Sequence, residues 1–263
     1  MAVGADSGGR VRSMLNKVPE VTVYFWIIKI LCTTVGETAS DYLQSHVGLG
    51  LVTTAWLTGG VLAAVLAFQF SLSRYVSWVY WSAVVLISVV GTQITDYLHD
   101  ERGISLVPTT IVFGAALVAT FAVWFAAERT LSIHTIVTRR REGFYWLTVL
   151  VTFALGTAAG DLVGEKLELG YLTSLLIFAG AIAAVFVAHR VFKLNAVLSF
   201  WLAYVITRPL GASTGDYLSQ DGLGGRGLGT TVTSAIFLAA ILATVVFLTI
   251  TKLDRTESRL AGD

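Results

Sequence analysis

The chain has 263 residues, of which 55% are hydrophobic and 13% charged, with a mean hydropathy of +0.75 and a formal net charge of +1. That much apolar surface excludes an ordinary soluble domain, and the near-neutral charge argues against a nucleic-acid partner. A single cysteine, Cys32, excludes an intramolecular disulfide framework.

About twenty polar, Gly-rich residues with Arg10, Arg12 and Lys17 open the chain and read as a flexible cytoplasmic tail. A cleaved secretory leader would carry a shorter apolar core followed by small residues, so the first apolar run is expected to be retained. Runs long enough to cross about 30 Å of hydrocarbon fall at approximately 21–43, 49–70, 75–98, 104–126, 144–164, 170–191, 196–218 and 229–251. They predict an all-α integral membrane protein of eight transmembrane helices arranged as four tandem helical hairpins. The expected divisions are a tail at 1–20, repeats at 21–70, 75–126, 144–191 and 196–251, a cytoplasmic linker at 127–143 and a second tail at 252–263.

The first helix of each hairpin carries the same frame. Trp26, Trp81, Trp146 and Trp201 are each followed ten residues later by Gly36, Gly91, Gly156 and Gly211, and five residues after that by Asp41, Asp96, Asp161 and Asp216. Four copies of one frame make this a repeat protein. Thirteen Lys and Arg residues fall in the tails and between repeats, against three (Arg102, Lys166 and Arg226) in the loops inside repeats. This bias puts both termini in the cytoplasm. Every repeat then enters from the same side, giving parallel repeats about the membrane normal, either pseudo-four-fold or as two pairs. The run Arg139-Arg140-Arg141 reads as a topology determinant.

Within the frame, the tryptophans read as interfacial anchors at the cytoplasmic headgroup level. The glycines, each followed four residues later by another small residue, predict close helix packing. The aspartates are costly inside a span, at about 2.5–3.5 kcal/mol each. Each is expected either to cap its own helix end or to join a shared cation or proton site. Lys29, Glu37 and Arg208 break the repeat pattern, and depth along the helices makes Glu37 the expected partner of Arg208. With the four aspartates these charges sum to −3, which invites a cation. Asp41 and Asp216 are expected to matter most, since their repeats hold the extra charges. His46 and His99 are the candidate nitrogen ligands for a metal.

On Trp26, Trp81, Trp146 and Trp201 with their Gly and Asp partners, over about residues 17–252, the chain resembles a family of bacterial inner-membrane proteins. That family is built from four tandem two-helix repeats and classed as a repeat of unknown function. The resemblance implies the architecture and the bacterial inner membrane, and no activity. The residues themselves predict a transporter or channel for a small cation, divalent or proton-coupled, using Asp41, Asp96, Asp161, Asp216, Glu37, Lys29 and Arg208. An intramembrane enzyme and a helper subunit of a membrane complex remain the alternatives. No catalytic pairing, nucleotide loop or organic-cofactor motif stands in the sequence. The expected partners are the bilayer and a small cation or proton.

Overall fold

Each apolar run becomes a helix. In the computed structural model, which describes residues 16–46 and 48–254, these are α1 (Val23–His46), α2 (Gly50–Ser71), α3 (Ser77–Asp96), α4 (Leu106–Glu128), α5 (Arg139–Asp161), α6 (Tyr171–Val191), α7 (Ala196–Ser219) and α8 (Thr230–Thr251). No strand occurs among the described residues. Six of the eight helices, all except α1 and α7, are long and apolar enough to cross a membrane. The two exceptions, at 24 residues each, have the length. They hold Lys29, Glu37, Asp41, Arg208 and Asp216, so their polarity reflects charges turned into the protein.

Two expected boundaries shift. The linker is shorter than 127–143, because α5 begins at Arg139, with the Thr138 hydroxyl accepting from the Arg141 amide. The arginine run is therefore the first turn of a helix, where Arg140 and Arg141 both pair with Glu128. Nor is the opening segment a free tail throughout, since residues 16–19 are buried. Lys17 donates to Glu142 Oε2 at 2.7 Å and to the Phe70 carbonyl, and Val18 joins the main apolar core. The remainder of both expected tails, 1–15 and 255–263, lies outside the described residues.

The odd helices form a closed ring of neighbours, α1 to α3 to α5 to α7 and back to α1. The frame glycines make it possible. A methyl added to Gly36 would overlap Ser88, one on Gly91 would meet Phe153, one on Gly156 would meet Arg208, and one on Gly211 would meet Thr33. In each case the glycine meets the residue seven positions past the next repeat's tryptophan, and the fourth contact returns to the first repeat. Bare backbone at these four points lets the helices approach closely.

The even helices form an outer layer, but not over their own partners. Each packs mainly on the inner helix of the following repeat: α2 on α3, α4 on α5, α6 on α7, and α8 on α1. Hydrogen bonds follow the same rule. Thr58 donates to Gln93, Ser174 bonds Ser213, and Ser234 donates to Thr38 at 2.8 Å. The hairpins expected from the sequence are therefore splayed, and each repeat completes the fold of the next. The outer helices present apolar faces outward, with Trp56, Ile111, Val118, Leu176, Leu242 and Ile250 exposed.

The ring makes a direct prediction. Gly91→Ala and Gly156→Ala should each destabilise the protein by about 1–3 kcal/mol, because extra volume must displace a packed neighbour. Gly59→Ala and Gly180→Ala, which meet nothing within 4 Å, should be neutral or slightly stabilising, since helical Gly is about 0.5–1 kcal/mol worse than Ala. Thermal melts in detergent check this; equal effects at all four positions would contradict the close approach.

Candidate functional site

Positions four apart on a helix stack on one side of it. Counting from each tryptophan, the residues at −1, +3, +7, +11 and +15 of the inner helices give five successive tiers. The first contains Phe25, Tyr80, Tyr145 and Phe200, with the Tyr80 and Tyr145 hydroxyls bonded to each other. The second contains Lys29, Val84, Val149 and Tyr204, all buried. The third is Thr33, Ser88, Phe153 and Arg208, again buried throughout. The fourth is Glu37, Thr92, Thr157 and Ala212, and the fifth is the four aspartates.

Arg208 ties the tiers together. Its guanidinium is fully buried and bonds Glu37 Oε2 at 2.8 Å, so the partner expected from depth is the one it has. The same nitrogen donates to Thr157 Oγ1 at 2.6 Å and to Thr92 Oγ1, while Nη1 donates to the Thr33 carbonyl at 3.4 Å. One side chain on α7 thus touches α1, α3 and α5. Glu37, Thr92 and Thr157 hold the same register, one residue after the frame glycine, which is why they converge.

Below this hub lies a second buried basic side chain. Lys29 Nζ stands 4.1 Å from the Tyr204 ring centroid and 4.2 Å from that of Phe153, with no hydrogen-bond partner among the described residues. The Arg208 guanidinium carbon is 5.7 Å from the same Phe153 ring. Ring faces carry negative potential and are a favourable setting for a desolvated cation.

Above the hub the carboxylates divide. Oxygens of Glu37, Asp161 and Asp216 lie within 4.8 Å of one another. Asp41 and Asp96 are instead held by neutral donors: Gln220 Nε2 reaches Asp41 at 3.0 Å, and Gln44 Nε2 and Ser40 Oγ reach Asp96 at 2.7 and 3.2 Å. Asp161, and not Asp41, is therefore the aspartate that stands with Asp216 and Glu37. Directly after Asp96 and Asp161 the chain widens into single π-helical turns, Tyr97–Glu101 and Leu162–Lys166, a feature common near functional sites. Neither histidine joins the cluster. His46, exposed, stacks on Tyr42, and His99, half-buried, bonds the Ile104 carbonyl.

The tryptophans also depart from expectation. Trp81, Trp146 and Trp201 are buried, and Trp201 Nε1 donates to the Leu131 carbonyl at 2.9 Å. They pack edge-on against their preceding aromatics, as in the Tyr80–Trp81 and Phe200–Trp201 pairs. These three pack inside the bundle, whereas Trp26 is half-buried beside Phe200. Thr92, Thr157, Phe153, Tyr204, Gln44 and Gln220 belong to the site and were not singled out from sequence. Aligning the repeats one position past the glycine would have exposed the Glu37–Thr92–Thr157 column.

Breaking one side of a buried ion pair leaves a bare charge and typically costs about 3–5 kcal/mol. Glu37→Gln and Arg208→Gln should each lower the melting temperature sharply, and the double variant should recover much of the loss. Additive losses in that cycle would mean the two groups do not interact.

Four successive stretches, residues 24–75, 79–130, 144–194 and 199–254, match the family model described as Repeat of Unknown Function (DUF347). No curated protein and no solved structure matches the chain.

Proposed function

We propose a cation-transport function for this chain, which belongs to that family of tandem repeats. In this reading all eight helices span the bacterial inner membrane, with both termini in the cytoplasm. The four repeats stand about a pseudo-four-fold axis along the membrane normal. The exposed apolar faces of the outer helices support the membrane placement, since a soluble monomer rarely shows apolar patches of that extent. The cyclic glycine contacts support the axis, and the thirteen-to-three basic asymmetry supports the orientation.

The observation that carries the functional reading is the trio Glu37, Asp161 and Asp216, drawn from three repeats and joined to one guanidinium through Glu37. Three carboxylates against one Arg208 leave a formal charge of −2. Ionised groups withdrawn from water cost several kcal/mol each unless compensated. A cation compensates them by ligation, and a proton by neutralisation. The ligand set is all oxygen, the chemistry of hard cations such as Mg²⁺, Ca²⁺ and Mn²⁺. Asp41 and Asp96, at the same register, would draw cations toward the trio.

The rest of the axis is packed. Phe25, Tyr80 and Tyr145 fill the opposite end, and the buried Lys17–Glu142 pair fastens the opening segment beside it. A path closed at one end and charged at the other suits a carrier that alternates between states better than an open pore. In this reading the packed side chains of Lys29, Phe153 and Tyr204 close the path beneath the site, so passage requires rearrangement of the inner ring.

Flux into sealed vesicles containing the purified protein tests the reading, with protons and divalent cations as separate substrates. Glu37→Gln, Asp161→Asn and Asp216→Asn should each reduce flux at least tenfold, and Asp41→Asn should reduce it less. No flux of any cation from folded protein would contradict it; turnover of a lipid-soluble substrate instead would favour the enzyme alternative. Orientation has its own check in a Cys32→Ser background. Cysteines at Ser45 and Leu169 should label from outside the cell, and those at Ser73 and Arg139 only from inside. Labelling of Ser73 from outside would overturn the placement.

A further inference from the structure

A cleft of about 800 Å³ opens between α6, α7 and the start of α1, closed at one end by residues 131–134. Its polarity is graded. Toward the middle of the helices its walls are Ile30, Ile182, Phe186 and Ala203. At the mouth stand His134, His189, Arg190 and Lys193, at the ends of α6 and the adjoining loops. Arg190 and Lys193 are exposed, and neither has a carboxylate partner among the described residues. Arg190 lies 5.4 Å over the Phe186 ring, at the boundary between the apolar wall and the basic rim. Only His134 faces an acid, Glu20 at 3.8 Å.

We propose that this cleft binds a phospholipid with an anionic headgroup from the inner leaflet. One acyl chain lies along Ile182 and Phe186, and the phosphate is held by Arg190 and Lys193. The inference rests on the membrane placement above, because it puts the basic rim at the cytoplasmic headgroup level and the apolar wall at acyl depth. Charge complementarity selects the occupant. Unpaired guanidinium and ammonium groups recognise phosphate, and basic pockets on the cytoplasmic side are suited to anionic headgroups. Arg10 and Arg12 in the chain's own opening residues carry the same sign as the rim and offer it no charge complement. The cleft lies at the seam where the fourth repeat meets the first, so an occupant would brace the ring closure.

Native mass spectrometry of the full-length protein tests this with phosphatidylglycerol and phosphatidylcholine of identical acyl chains, and with glycerol 3-phosphate as the soluble control. The wild type should retain phosphatidylglycerol at least fivefold better than phosphatidylcholine and should not retain glycerol 3-phosphate. The double variant Arg190→Gln/Lys193→Gln, at exposed positions that leave folding intact, should lose that preference, and Arg140→Gln, outside the cleft, should keep it. Equal retention of the two lipids by the wild type, an unchanged preference in the double variant, or retention of glycerol 3-phosphate would each overturn the proposal. Failure here with correct cysteine labelling would reject the lipid site alone, whereas reversed labelling would reject the membrane placement beneath it.

Discussion

A fully buried guanidinium is the constraint on which the rest of the structure depends. Arg208 has no access to water, so its charge must be met by protein, as it is at Nη1 and Nη2 though not at Nε. Glu37 supplies the opposite charge, and Thr33, Thr92 and Thr157 supply oxygens from three different helices. That network exists only if all four inner helices come within reach of one side chain. The frame glycines set that distance, and Gly156 does so directly, because its missing side chain is the space Arg208 occupies. Charge satisfaction and backbone approach are thus two statements of one geometric requirement.

The same requirement explains why similar repeats have dissimilar interiors. At the +7 position the repeats place Thr33, Ser88, Phe153 and Arg208, four side chains of different size and polarity filling one tier. Four arginines there would repel one another, and four phenylalanines would leave Glu37 unpaired. Phe153 shows the economy of the arrangement, since its ring lies near both the Lys29 amine and the Arg208 guanidinium. The differences between repeats make the inner ring graded, aromatic at one end, basic in the middle and acidic at the other.

Much of this was legible in the sequence. The eight helices, the four repeats and the Arg208–Glu37 pair follow from hydropathy, from the tryptophan–glycine–aspartate spacing and from depth along a helix. The splayed hairpins do not. Hydropathy marks the ends of α2 and α3 but says nothing about which inner helix α2 covers, a choice made by complementary polar pairs such as Thr58 with Gln93. The burial of Trp81, Trp146 and Trp201 was not legible because an aromatic near a helix end fits a surface belt as readily as a packed core; neighbouring repeats decide it. The placement of Asp161 was not legible because its own repeat carries no other axial charge. Its neighbours Glu37 and Asp216 lie more than fifty residues away in either direction along the chain.

The central claim is that the fourth repeat closes onto the first, and one cross-link tests it most directly. Ser234 on α8 and Thr38 on α1 have hydroxyl oxygens 2.8 Å apart, although 196 residues separate them in sequence. With Cys32 replaced by serine, the variant Ser234→Cys/Thr38→Cys should form an intramolecular disulfide under mild oxidation, seen as a reducible mobility shift of the monomer. Failure of that pair to link in folded protein, while Ser174→Cys/Ser213→Cys links readily, would mean that the ring is open and that no common axis unites the four repeats.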